Sequence, residues 1–417
     1  MLLHPFPLRA AARAGALLSA LLAATLPAQA ALNFDDTAAV ALAQAPALHN
    51  QQLAVDSAQT ARTAAATLPD PRLAVGVENL PIAGMGRYSA VADGMSMQRI
   101  ALMQDMPNAA KREARAAGAE AKAAREQAML VVTRLGIQRD AQLAWLGVHF
   151  AERKLAQLSE LERESQLLLN TLDAHIASGK AMPADKLMAR QEALALADRR
   201  DEAERDVAKA RATLRRWVGE RATEPLTGEP PVVTLKADEA RAAIHRHAEL
   251  APYTAMRAMA DAEAREMDAE QRGDWAWEVA YQRRGPQYGD MVSFQISMDL
   301  PWQKERRQKP IADAKRLDAA RVETERQNTV RMHQEELDGW LAEWQALQAQ
   351  RERLARLGEP LAAERVKLTL SGYEAGRSDL ASVLAARREA VETHLRLTEL
   401  DAQIAALNVR LTTLIAE

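Results

Sequence analysis

The sequence predicts a mainly α-helical chain with a small β part, organised as two tandem repeats. Three observations carry that prediction. The first is self-similarity. Ala74-Val75-Gly76-Val77 returns as Ala276-Trp277-Glu278-Val279, and Met97 through Pro107 returns as Met291 through Pro301. Gly179, Leu187, Ala189, Arg190 and Glu192 return as Gly376, Leu384, Ala386, Arg387 and Glu389. The second is a set of short segments in which apolar and polar residues take turns, the period of a strand with two different faces. The third is composition: long unbroken runs dominated by Ala, Leu, Arg, Glu and Gln, which suit long helices better than a compact mixed core.

The repeats divide the chain into 31–219 and 237–417, joined by a linker over 220–236. Residues 1–30 are read as a cleavable export signal. Arg9 and Arg13 supply a positive start, Ala14 to Thr25 an apolar stretch, and Ala28-Gln29-Ala30 a small-x-small cleavage site. The apolar run falls short of the roughly 20 residues that span a bilayer. Residue 31 is Ala31 and the 417-residue chain has no cysteine, so neither a lipid anchor on cysteine nor a disulfide is expected. After the signal, no segment is long and apolar enough for a transmembrane helix, which leaves strands as the only candidates to cross a membrane. A formal charge of -3 without a dense basic stripe argues against nucleic acid as a partner.

Strands are expected at about 72–80, 95–106, 274–283 and 291–300. Trp275, Trp277, Val279 and Tyr281 fall on one parity, and Ala276, Glu278, Ala280 and Gln282 on the other. Val292, Phe294, Ile296, Met298 and Leu300 oppose Met291, Ser293, Gln295, Ser297 and Asp299. In the first repeat Leu73, Val75 and Val77 oppose Ala74, Gly76 and Glu78, while Ile100, Leu102 and Met106 oppose Met97, Arg99, Ala101, Met103 and Asp105. Apolar-out, polar-in alternation suits a membrane barrel, and the Trp-Trp-Tyr face suits its interfacial girdle. An ordinary hairpin with one buried face is the competing reading of any single strand. Four strands cannot close around a channel, since the smallest membrane barrels use about eight; three chains of four strands would give twelve. The polar parity then makes Glu78, Met97, Arg99, Met103, Asp105, Glu278, Met291 and Asp299 the lumen-facing residues. Loops at about 81–94 and 284–290 would share one barrel end.

Long helices are expected over about 107–178 and 301–375. Pro107 suits a helix start, and about seventy residues at 1.5 Å each make a rod of roughly 100 Å. Shorter helices near 33–67 and 184–219 would stack end to end to a comparable length. Leu158, Leu161, Leu168 and Leu172, like Leu337, Trp340, Trp344 and Leu347, follow the spacing of laterally packed helices. Pro310 and Pro360 are expected to kink or break the second rod.

Candidate chemistry is sparse. There is no HExxH, phosphate-loop or G-x-S-x-G motif, and acidic pairs such as Glu335-Glu336 read as helix surface, so no catalytic residue is assigned and no cofactor expected. His245-x-His247 is the one close histidine pair; residues two apart on a helix do not face each other, so it reads as solvated surface and no metal ligands are assigned. Met97, Met103 and Met291 share the polar strand parity. Thioethers suit soft Cu(I) or Ag(I), against the plainer reading of methionine as filler of irregular space.

Several motifs together resemble the TolC-like outer membrane efflux family over essentially all of Leu32 to Leu414. Leu68-Pro69-Asp70-Pro71-Arg72-Leu73 enters the first strand, and Met97 to Pro107 runs through the second into the long helix. Ile176-Ala177-Ser178-Gly179 and Tyr373-Glu374-Ala375-Gly376 sit at paired hairpin ends, the latter followed by Leu384-Ala385-Ala386-Arg387. The Pro-Asp-Pro-Arg wording and the Met97-to-Asp105 wording are similar to the heavy-metal branch of proton-driven (RND) efflux systems, of copper/silver or cobalt/zinc/cadmium type. The resemblance implies a homotrimer whose twelve-stranded outer-membrane barrel continues as a helical barrel through the periplasm. Its partners would be outer-membrane lipid, a periplasmic adaptor and an inner-membrane RND pump. It also implies a gate and tip at Gly179, Asp185, Tyr373, Gly376, Asp379 and Ser382, with adaptor contacts at Leu187, Arg190, Leu384 and Arg387. Asp185 and Tyr373 would be hydrogen-bonded latch residues. Positions that carry acidic rings in some relatives are Ser382 and Ala385 here, so Asp379 is the substitute candidate. A passive exit duct for heavy-metal cations is the leading expectation. A duct for drugs or other small molecules, a periplasmic structural coiled coil and a helical enzyme are the alternatives.

Overall fold

The computed structural model describes residues 31–91, 94–179, 181–233 and 236–415. The expected export signal at 1–30 lies outside the described residues. The first repeat contains α1 (Phe34–Gln44), α2 (Pro46–Ala64), β1 (Arg72–Glu78), β2 (Met97–Met106), α3 (Ala109–Ala177) and α4 (Pro183–Val218). The second contains α5 (Ala237–Ala243), α6 (Ala251–Ala269), β3 (Trp275–Arg283), β4 (Met291–Met298), α7 (Gln308–Arg353), α8 (Glu359–Glu374) and α9 (Leu380–Leu414). The chain is thus mostly helical with a small antiparallel sheet, as the alternation and the long runs predict.

Local chemistry sets the breaks. The stretch expected as one helix near 33–67 is two, because Pro46 supplies no N–H to a helix running through it and instead occupies the first turn of α2. Asn33 caps α1 by accepting the Asp36 N–H at 2.6 Å, and Asn108 caps α3 by accepting the Lys111 N–H at 2.9 Å. The two expected proline kinks resolve differently. Residues 301–307 are turns rather than helix, so α7 starts at Gln308 and Pro310 sits in its first turn, where a missing donor costs nothing. Pro360 is absorbed by a π-turn over Leu354–Gly358, which lets α7 run on into α8.

The sheet is ordered β1-β2-β3-β4, antiparallel throughout, with β1 and β4 as free edges. The register keeps parity across every pair: Val75 faces Ile100, Ile100 faces Tyr281, and Tyr281 faces Val292. Leu73, Val75, Val77, Ile100, Leu102, Val279, Tyr281, Val292, Phe294, Ile296 and Met298 therefore share one face, and all of them are exposed. β4 ends at Met298, so Asp299 lies just outside the strand, its N–H donating to the Asp274 carbonyl at 2.8 Å. Gly273, at φ 68°, must be glycine there, since a Cβ would meet the Asp299 carbonyl oxygen at 2.2 Å. At the other end the loops after β1 and β3 touch, the Tyr288 ring packing over Gly94.

α3 runs the length of the helical part. It packs against α2 and α6 on the sheet side and against α4 and α9 toward the opposite end. Midway, Trp145 is fully buried, with Nε1 donating to the Leu32 carbonyl at 3.0 Å and its ring stacked on His149 and edge-on to Phe34. Leu214 and Val218 of α4 close this core. Among the described residues no helix is long and apolar enough to cross a membrane.

Candidate functional site

Two surfaces carry the sequence-predicted residues: the polar face of the sheet and the helical end farthest from it. On the sheet, Arg99 of β2 lies between two acids. It pairs with Glu78 of β1 at 3.1 Å and more closely with Glu278 of β3. Arg72 bonds Asp105 at 2.8 Å and also reaches the Met103 sulfur at 3.4 Å. Ala101 and Ala280 are buried between these charged rows. Met97 faces Glu78, Met103 faces both Arg72 and Glu278, and Met291 faces Gln282. The three methionines share a face but sit beside different partners, so the single chain forms no thioether cluster from them.

At the far end the two hairpins are built alike. After α3 the chain turns at Gly179, φ 70°, whose N–H donates to Ile176 O at 3.0 Å. After α8 it turns at Gly376, φ 69°, whose N–H donates to Tyr373 O at 2.9 Å. Glycine takes this left-handed conformation without the penalty a Cβ brings. A carboxylate then opens each following helix. Asp185 accepts the Met182 N–H at 2.8 Å, and Asp379 accepts the Ser382 N–H at 2.9 Å together with the Ser382 hydroxyl. Those Ser382 bonds hold the Asp379 carboxyl below its ordinary range. Asp379 and Ser382 therefore serve each other as a helix cap.

Leu172, Ala189, Leu380, Val383 and Leu384 form the core that joins the hairpins, with Tyr373 packed against it. Burial first, and then the nearby Asp185 charge, raise the Tyr373 phenol above its usual value, and its hydroxyl oxygen is buried without a hydrogen-bond partner. Asp185 and Tyr373 are neighbours, and no hydrogen bond joins the two side chains within this chain. The four expected contact residues also separate. Leu187 is 61% exposed and Arg190 is exposed, whereas Leu384 is only 8% exposed and belongs to the core rather than to the contact surface. Arg387 lines a cavity of about 240 Å³ between the hairpins, beside Glu164, Glu192 and His394. The matched repeat positions differ because α9 turns its Leu384 side inward, while α4 turns Leu187 outward.

No protein-family profile and no curated protein sequence matches the chain. Solved structures do. The outer membrane protein VceC of Vibrio cholerae superposes with a TM-score of 0.76 at 16% identity, covering 92% of this chain and 95% of that one. The outer membrane channel CmeC of Campylobacter jejuni gives 0.77 at 10%, covering 92% and 85%, and CusC gives 0.75 at 14%, covering 92% of each. The chain has the TolC-like channel fold. In that fold the sheet and the hairpin tips lie at opposite ends of the helical part, so the two surfaces described above are its two ends.

Sequence reasoning missed a third group, near the middle of the TolC-like helical body. His247 is 5% exposed, not solvated helix surface, because it sits in a turn ahead of α6 rather than on a helix face. Its ring lies 4.7 Å from that of His333 on α7, with Glu249 beside both. The spacing of His245-x-His247 carries no sign of a partner so distant in sequence.

Proposed function

We propose that three copies of this chain form an outer-membrane exit duct, in which twelve strands make a barrel and the helices continue it as a periplasmic tunnel. The observation that carries this reading is the sheet itself. It exposes a broad apolar face, keeps its charges on the other face apart from Arg283 at the end of β3, and leaves the outer edges of β1 and β4 without a strand partner among the described residues. Exposed apolar area on that scale needs a lipid or protein cover, and free edges need partners. Three chains joined edge to edge meet both needs at once. Glu78, Met97, Arg99, Met103, Asp105, Glu278 and Met291 then face the lumen, with Asp299 at the rim.

The hairpin tips are the proposed gate and docking end. Leu187 and Arg190 meet a periplasmic adaptor, Arg387 works from the inter-hairpin cavity, and an inner-membrane RND pump drives cargo outward through the duct. The unpartnered Tyr373 hydroxyl beside Asp185 supports a contact completed at this end in the assembly. Heavy-metal cations are the proposed cargo, on the strength of the Pro69-Asp70-Pro71-Arg72 resemblance. A duct carries out no covalent chemistry, and the reading needs no catalytic residue.

Planar-bilayer recording on detergent-extracted protein tests the duct. Stepwise ohmic conductance supports it, and protein that is released by osmotic shock and leaves bilayers silent refutes it. Deleting the gene and measuring tolerance to copper, silver, zinc, cobalt and cadmium tests the cargo. Unchanged metal tolerance together with increased sensitivity to organic compounds would move the cargo to the drug-type alternative.

A further inference from the structure

We propose that His247, Glu249 and His333 form a site for a divalent cation of zinc type, which clamps the turn ahead of α6 to α7 at the middle of the helical body. One ligand atom from each of the three lies within 4.8 Å of the others, close enough for a single ion to draw them together. Two imidazoles and one carboxylate are a donor set that suits Zn²⁺ and leaves a fourth position for water.

The ring nitrogens are placed to take such an ion. His333 is 3% exposed, and its Nδ1 faces Glu336 at 3.4 Å; in the tautomer that donates from Nδ1 to that carboxylate, the lone pair is on Nε2. That Nε2 is buried and makes no hydrogen bond of good geometry, although the Glu249 carboxylate stands 3.2 Å away. A buried nitrogen lone pair without a donor is costly, and a cation between Nε2 and the Glu249 carboxylate would satisfy both. His247 is held in the complementary way. The Thr413 carbonyl faces its ring, and its Nδ1 accepts the Glu249 N–H at 3.3 Å, a bond that an ion at Nδ1 would replace. A carboxylate behind one histidine and a backbone carbonyl behind the other are the usual outer partners of metal-bound imidazoles. Access comes from a cavity of about 400 Å³ that these residues line with Arg139 and Arg410. The competing reading is a protonated His333 held between Glu249 and Glu336 with no metal.

The inference is independent of the duct, and so is its test. Detergent-purified full-length protein, stripped with chelator, is titrated with ZnCl₂ by calorimetry and with CoCl₂ by visible absorption. One saturable site per chain, with the intense bands of four-coordinate Co²⁺, is the expected result. H247A and H333A should abolish that site, and E336Q, which keeps all three ligands, should weaken it by about 10-fold. The Co²⁺ spectrum of the unsubstituted protein and the E336Q titration decide the matter even where a histidine variant fails to fold. Absence of saturable Zn²⁺ binding, six-coordinate Co²⁺ bands, or binding unchanged by E336Q and by H247A/H333A would overturn the proposal.

Discussion

Asn108 and Asp274 join the start of the longest helix to the start of the third strand. The Asn108 backbone N–H donates to Asp274 Oδ1 at 3.0 Å, and its side-chain amide donates to the same oxygen at 3.1 Å. Lys111 adds a bond from Nζ to Asp274 Oδ2 at 3.1 Å, so one carboxylate fixes both helix and strand. Asn108→Ala removes the α3 cap and the side-chain part of this tie while keeping the backbone bond, and should cost about 1–2 kcal/mol. Denaturant unfolding in detergent, compared with Asn108→Ser, which restores the cap alone, measures the two parts.

The same carboxylate gives a pH prediction. Burial opposes its charge, but the Asn108 backbone bond and the Lys111 ammonium together hold Asp274 below the ordinary carboxylate range. A depressed folded value means its contribution is complete above the unfolded value of about 3.9 and is lost as the pH falls through the folded one. Asp274→Asn should therefore be less stable than the natural chain at neutral pH and should converge with it in strong acid. Paired melting curves from neutral pH downward would show the two approach.

Arg99 pairs with two acids, Glu78 and Glu278, from the strands on either side of β2. Arg99→Ala leaves Glu78 and Glu278 without a counter-charge on a half-buried surface, a loss of about 1–3 kcal/mol. Changing both acids to Gln in the same chain should recover most of the loss. Failure of that triple variant to recover would assign the effect to lost packing of the arginine stem.

Gly179 and Gly376 should respond alike. A Cβ at either would meet no atom within 4 Å, so the cost of alanine is confined to the backbone conformation, about 1–2 kcal/mol. Asparagine, which tolerates positive φ, should cost less than alanine at each site. Limited proteolysis at the tips is a suitable readout.

Trp145 anchors Leu32 through a buried hydrogen bond and fills the mid-body core, so Trp145→Phe loses the bond while keeping most of the volume. The expected cost is about 1–3 kcal/mol. Amide exchange should accelerate first around Leu32, whose backbone also pairs with Pro225 and Thr227.

The parts of this structure that could be read from sequence are those governed by a fixed period. Alternation along Trp275–Gln282 survives into three dimensions because antiparallel partners share a face, so each strand's parity transfers to the next. Helix length followed from the absence of breakers between Pro107 and Ser178. Breakers themselves were less legible. Pro46 divides a predicted helix, while Pro310 and Pro360 are taken up by a first turn and by a π-turn, and only the local backbone decides which. At the tips, the duplicated Gly positions were visible, but the opposite exposure of Leu187 and Leu384 was not, because it depends on which side of α4 and α9 the two hairpins share. The His247–His333 pairing was out of reach, since it joins segments that no local pattern relates.

The duct stands or falls on β4 of one chain pairing with β1 of the next. The alternating strand directions allow that pairing to be antiparallel, and a chain without cysteine allows it to be tested cleanly. Val75→Cys on β1 can be combined in turn with cysteine at Val292, Phe294 or Ile296 on β4, and membranes oxidised before denaturing electrophoresis. The account predicts that at least one pair gives a disulfide-linked species of three chains. Oxidised membranes in which every pair leaves the chain at monomer size would contradict it.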